Sequence, residues 1–120
     1  EIALQIEAEV LELPLTNYDF FLLLSNLLEN ALEGASQCEK GSGRISLWLY
    51  AHNGKLSLML ENNYQIEPQK KGKRLISAKG EDGLHGWGVE SVKDIVEKYQ
   101  GTITIKYGEG IFLVKIVLIQ

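Results

Sequence analysis

The chain has 120 residues, 45% of them hydrophobic and 23% charged, the size and composition of one globular domain whose core needs neither disulfides nor a structural metal. A net charge of −4 supplies no basic face for nucleic acid, and a single cysteine, Cys38, excludes an intrachain disulfide. One Cys and two His are too few for a structural zinc site, and no apolar run reaches the roughly 18–20 residues of a membrane span. The chain opens on Glu1 rather than Met, so it is expected to be a fragment of a longer protein.

"EIALQIEAEVLEL" alternates, with Ile2, Leu4, Ile6, Ala8 and Val10 on one side and Ala3, Gln5, Glu7 and Glu9 on the other. Period two predicts a half-buried strand. Pro14 ends it. Thr16 or Asn17 can cap a helix with Asp19 in its first turn, and the helix is predicted to run to about Cys38, where "EKGSG" breaks it. "RISLWLYAHNGKLSLMLEN" reads as a hairpin: apolar residues alternate on both arms, and Asn53-Gly54 is the preferred two-residue type I′ turn.

The stretch from about Tyr64 to Gly83 has no sustained period and holds Lys70, Lys71, Lys73 and Arg74. A loop of that length in a small domain is usually a lid or binding loop, or disordered. "GWGVESVKDIVEKYQG" predicts a helix capped at Gly101, and "TITIKYGEGIFLVKIVLI" a second hairpin turning at Gly108-Glu109-Gly110. The order strand, helix, hairpin, loop, helix, hairpin predicts one α+β domain, a two-layer sandwich with a mixed, mostly antiparallel sheet covered by helices on one face.

Three features could carry chemistry. On the first helix Asn26, Asn30, Glu33 and Gln37 fall in one narrow stripe beside Glu29, while leucines and alanines cover the rest. A solvated stripe would explain them, yet Asn forms helices poorly and Lys, Glu or Arg would serve better there. An amide carbonyl can hold Mg²⁺, which needs only a few hard oxygens beside water and phosphate. Second, Gly83, Gly86 and Gly88 precede a helix start, where backbone N–H groups and the helix dipole favour phosphate. An ordinary loop entering a helix would look similar; neither a P-loop nor a dinucleotide fingerprint is present. Third, the basic run is what a solvated loop also carries, but Lys79 could reach a phosphate bound at that helix start.

Taken together, these segments resemble a known family. "NLLENALEGA" at Asn26–Ala35 resembles the N box of the GHKL nucleotide-binding superfamily, which includes DNA gyrase, MutL, a heat-shock chaperone family and the histidine kinases. "HGWGVESVKDIVEKYQG" at His85–Gly101 resembles the second glycine box of those kinases, and "SAKGEDGLHGWGVESV" looks most like the peptide-sensing, quorum-type members. The resemblance covers nearly the whole chain. It implies an ATP-binding catalytic domain with a Bergerat-type sandwich and an ATP lid at about residues 64–83. The expected reaction is transfer of the ATP γ-phosphoryl group to a His on a separate dimerisation domain, with a response regulator downstream. The full-length protein is then expected to be a membrane-anchored bacterial homodimer with this domain in the cytoplasm.

The resemblance also assigns roles. Asn26 and Asn30 are the expected catalytic pair, and Asn30 the ligand of Mg²⁺. Hydrolytic relatives have a Glu at the position of Asn26 to activate water; an amide cannot act as that base, which suits transfer to a protein. The nucleotide is expected to meet Asn30, Glu33, Asn62, Lys79, His85, Gly86, Trp87 and Gly88. The family's Asp-x-Gly-x-Gly is replaced here by "LENNYQ", so Asn62 is the expected reader of the adenine amino group, with Glu61 and Asn63 as register alternatives. Neither His52 nor His85 is expected to accept phosphate. The resemblance leaves two further readings: a regulatory module of the same fold without phosphotransfer, and a serine-directed anti-sigma kinase.

Overall fold

The computed structural model describes residues 1–8, 13–66, 69–71, 74–76 and 87–119. Strand β1 (Ile2–Ala8) leads to helix α1 (Asn17–Ser36), then β2 (Ile45–His52) and β3 (Lys55–Asn63). Two short strands, β4 (Gln69–Lys71) and β5 (Arg74–Ile76), precede helix α2 (Trp87–Lys98) and the final hairpin of β6 (Thr102–Gly108) and β7 (Ile111–Ile119). The main sheet has the order β1-β2-β3-β7-β6. Its pairs are antiparallel except β1 with β2, which run parallel. Parallel neighbours need a crossover, and α1 supplies it.

Each element follows from its local chemistry. Thr16 caps α1, its Oγ1 accepting from the Asp19 N–H at 3.1 Å. Asn53 and Gly54 both have positive φ, 50° and 74°, as a type I′ turn requires. The last hairpin turns more tightly than the three-residue loop read from its sequence. Gly108 still pairs with Ile111, so only Glu109 and Gly110, at φ 54° and 80°, form the turn.

The end of α2 differs from expectation. Gln100, not Gly101, takes the left-handed conformation, at φ 56°. The Gly101 N–H bonds back to Val96 O at 2.9 Å and the Gln100 N–H to Glu97 O, the Schellman pattern one residue early. Gly101 is required by space: a Cβ there would lie 2.2 Å from Leu118 Cδ2 and 2.7 Å from Val117 O.

The core lies between the helices and one sheet face. Leu56, Leu58 and Leu60 of β3 alternate inward, joined by Val114, Ile116 and Leu118 of β7 and covered by Leu23, Leu27 and Ala31 of α1 and Val92, Ile95 and Val96 of α2. Burying each leucine contributes about 1.5–3 kcal/mol. Strand β1 departs from its predicted half-burial. Ile2, Leu4 and Ile6 stand in register with Ile45, Leu47 and Leu49 on the helix-facing side, yet they are 61%, 61% and 55% exposed among the described residues. They lie at the sheet edge, beyond the cover of α1. The β4–β5 hairpin was also unexpected, since three-residue strands are too short to show a period. No helix among the described residues is long and apolar enough to cross a membrane.

Candidate functional site

The polar stripe of α1 is not a solvated face. Asn26, Asn30 and Gln37 are half-buried and Glu33 is buried, whereas the apolar Leu32 and Phe21 are 53% and 71% exposed. Only Glu29, at the stripe's margin, is exposed. Four residues of helix rise about 6 Å, so Asn26, Asn30 and Gly34 follow one another one turn apart.

The end of β3 meets this stripe. Asn62 continues the inward series of Leu56, Leu58 and Leu60 and is only 5% exposed. Its Nδ2 donates to Asn63 O at 2.9 Å. Gly34 lies directly against it: a Cβ on Gly34 would sit 2.4 Å from Asn62 Nδ2, 3.3 Å from Asn63 O and 3.5 Å from Tyr64 Cβ. The register alternatives point elsewhere. Glu61 alternates to the outer face of the sheet. Asn63 is occupied in a structural role, its Oδ1 accepting from the Arg44 N–H at 2.8 Å and its Nδ2 donating to Ser42 O at 2.7 Å. It closes the turn that leads into β2.

Gln37, at the C-cap of α1, extends the same line. Its Oε1 accepts from the backbone N–H groups of Gln65 (3.1 Å) and Ile66 (2.9 Å), fixing the chain leaving β3 to the helix. Neither Gly34 nor Gln37 was singled out from the sequence for a role of its own. Gly34 did carry a signal: it stands inside a helix, where glycine costs about 1 kcal/mol relative to alanine.

At its other end α1 is joined to α2, against which it packs. Asp19 is buried and accepts from Lys98 Nζ at 2.9 Å and from the Tyr99 hydroxyl, while the Thr16 N–H donates to the same tyrosine oxygen at 3.2 Å. The Tyr99 bond, then that of Lys98, holds the Asp19 carboxyl below its ordinary pKa of 3.8. The partner effect raises Lys98 above 10.5.

Of the residues predicted at and before the start of α2, the backbone of Trp87 and Gly88 opens the helix; Lys79, His85 and Gly86 lie outside the described residues. Among the described residues no three His, Cys, Asp or Glu side chains gather into a metal cluster. On the stripe, the half-buried amide carbonyls of Asn26 and Asn30 are hard oxygen donors of the kind that suits Mg²⁺, while that of Gln37 is engaged by the Gln65 and Ile66 N–H groups. A concavity of about 380 Å³, lined by Trp48, Tyr50, Met59 and Lys115 among others, lies on the outer sheet face and includes none of the predicted residues.

This is a two-layer α+β sandwich with its polar seam between α1 and the end of β3. Known proteins share the fold. A mycobacterial sensor histidine kinase, MprB, superposes with a TM-score of 0.67 at 24% identity, over 98% of this chain and 83% of that one. The catalytic domain of the histidine kinase ThkA gives 0.65 at 17% identity, over 98% and 78%. The histidine kinase domain of the Erythrobacter litoralis blue-light activated kinase gives 0.64 at 20% identity, and this chain spans about half of it, 51%. No curated protein matches the sequence. The family model described as "GHKL domain" matches residues 15–119, and the chain belongs to that family.

Proposed function

We propose that the chain is the ATP-binding catalytic domain of a sensor histidine kinase, transferring the γ-phosphoryl group of ATP to a histidine on a separate dimerisation domain. The observation that carries this reading is the sheltered amide stripe Asn26–Asn30, continued by Gly34 against the buried amide of Asn62. Metal-binding and base-reading amides on one seam suit a nucleotide lying lengthwise along α1. The Asn30 carbonyl would hold Mg²⁺, which neutralises charge on the phosphates; such transfer depends mostly on positioning and electrostatics. Asn26 has no basic atom to activate water, so the bound nucleotide would be spared hydrolysis.

The helix pair supports the other half of the site. Trp87 lies eleven residues before Lys98, and Asn30 eleven after Asp19. Helices joined at Asp19–Lys98 and running antiparallel would bring the start of α2 level with Asn30, where its free N–H groups could meet phosphate. Lys79, His85 and Gly86 would complete that end.

The test is titration of ATP with and without Mg²⁺. Wild type should show a metal-dependent gain in affinity that Asn30→Ala loses, while its metal-free binding stays. Equal loss in both conditions would overturn the assignment of Asn30. A second reading, a regulatory module that binds nucleotide and transfers nothing, is favoured by "LENNYQ", which lacks the family's Asp and following glycines. A downstream response regulator, a peptide signal and membrane anchoring in a longer chain follow from the same resemblance.

A further inference from the structure

We propose that Gly34 is a positioning residue that locks the Asn62 amide in one orientation, and that this lock makes the site select a base offering an amino donor over a 6-oxopurine. The inference rests on the nucleotide-binding reading above and concerns its base specificity.

A carboxylate accepts hydrogen bonds at either oxygen, whichever way it turns. A carboxamide has a donor arm and an acceptor arm, and turning it over exchanges them. An Asn therefore reads a base edge only if its orientation is fixed. Here Asn62 Nδ2 is committed to Asn63 O at 2.9 Å, which leaves Oδ1 as the arm directed away from that carbonyl. The reversed amide would set Oδ1 against the same carbonyl, two acceptors facing each other with no proton between them.

Gly34 makes the committed position possible. With a Cβ 2.4 Å from Nδ2, no side chain at residue 34 could coexist with the amide where it stands, and the backbone at Asn63 O, 3.3 Å away, could give little. The helix accepts the propensity cost of glycine at this point. The acceptor that results can pair with an exocyclic amine such as the 6-amino group of adenine. A 6-oxo group would oppose it, acceptor to acceptor, and would leave a buried polar atom unpaired.

The test compares Mg·ATP with Mg·ITP, which differ in the 6-substituent and in the proton that the 6-oxo base carries on N1, by calorimetric titration. Wild type should prefer ATP by at least about tenfold, the scale of one buried unpaired acceptor. In Gly34→Ala the preference should fall towards one, while the Mg²⁺-dependence of the remaining binding persists, because the triphosphate end is untouched. A merely structural role would weaken both nucleotides alike and leave the ratio standing. Thermal melting covers the case in which Gly34→Ala folds poorly. The substitution should lower Tm in the Asn62 background and much less in the Asn62→Ala background, where the atom it displaces is gone. A wild type that binds ATP and ITP equally, an unchanged ratio in Gly34→Ala, or the same loss of Tm in both backgrounds would overturn the proposal. A wild type that binds neither nucleotide would instead overturn the nucleotide-binding reading and remove this one with it.

Discussion

Asp19 shows how much one side chain can be asked to do. Its carboxylate receives the Tyr99 hydroxyl and the Lys98 ammonium and stands three residues from the Thr16 cap. Its folded pKa lies below 3.8, so the stability it contributes is complete above pH 3.8 and disappears as the pH falls through the lower folded value. Asp19→Asn should therefore unfold more readily at pH 7 and show a flatter acid limb below pH 4, as read by circular dichroism. The Lys98 contribution has the opposite sense, present below 10.5 and lost as the pH climbs past its raised value. At Asn26, Asn26→Glu would install the base that the amide lacks. Phosphate release from ATP in the absence of an acceptor should rise, within the ~10²–10⁴-fold range of a positioned general base. The amide stripe was visible in the sequence as two poor helix formers in register, a pattern that a solvated face would also explain, and it was the N-box resemblance that singled it out. The Gly34–Asn62 contact was not, because it joins a helix to a strand 28 residues away and no local pattern encodes it.

The long elements announce themselves through period and caps, and both main helices and both hairpins lie where the sequence puts them. Several features of the elements escaped. The β4–β5 strands are too short for alternation to register. The exposure of Ile2, Leu4 and Ile6 depends on how far α1 reaches across the sheet, which periodicity does not encode. The end of α2 shows a subtler failure: glycine after a helix suggests the left-handed cap, but the backbone placed Gln100 there and reserved Gly101 for the close approach to β7. Gly101→Ala should accordingly cost about 1–3 kcal/mol, the range for forcing a methyl into a filled space. Denaturant melts would read it as a lower midpoint at unchanged slope. Gln100→Gly, which relieves a positive φ, should be neutral or stabilising.

The whole molecule is a layer of helices on a sheet whose middle strand, β3, carries both core leucines and Asn62, the amide proposed to read the base. Leu58→Ala, at a position with no exposure, should cost about 2–5 kcal/mol of global stability. At temperatures where that variant stays folded, its nucleotide affinity should match wild type, which separates scaffold from site. Phosphotransfer also belongs to this scale, because the acceptor histidine is expected on another domain. Mixing the domain with that helical domain and labelled ATP should yield a phosphohistidine if it is a kinase, and unlabelled protein if it only binds. One further consequence lies in α1, which bears Asp19, Asn26, Asn30, Gly34 and Gln37 and so serves the inter-helix latch, the polar seam and the root of the following loop at once. Inserting or deleting one residue within it would turn everything beyond that point by about 100° and shift it about 1.5 Å. Such a chain would put the Asp19 latch and the Gly34 seam out of phase with each other, so that one helix could no longer meet both α2 and the end of β3.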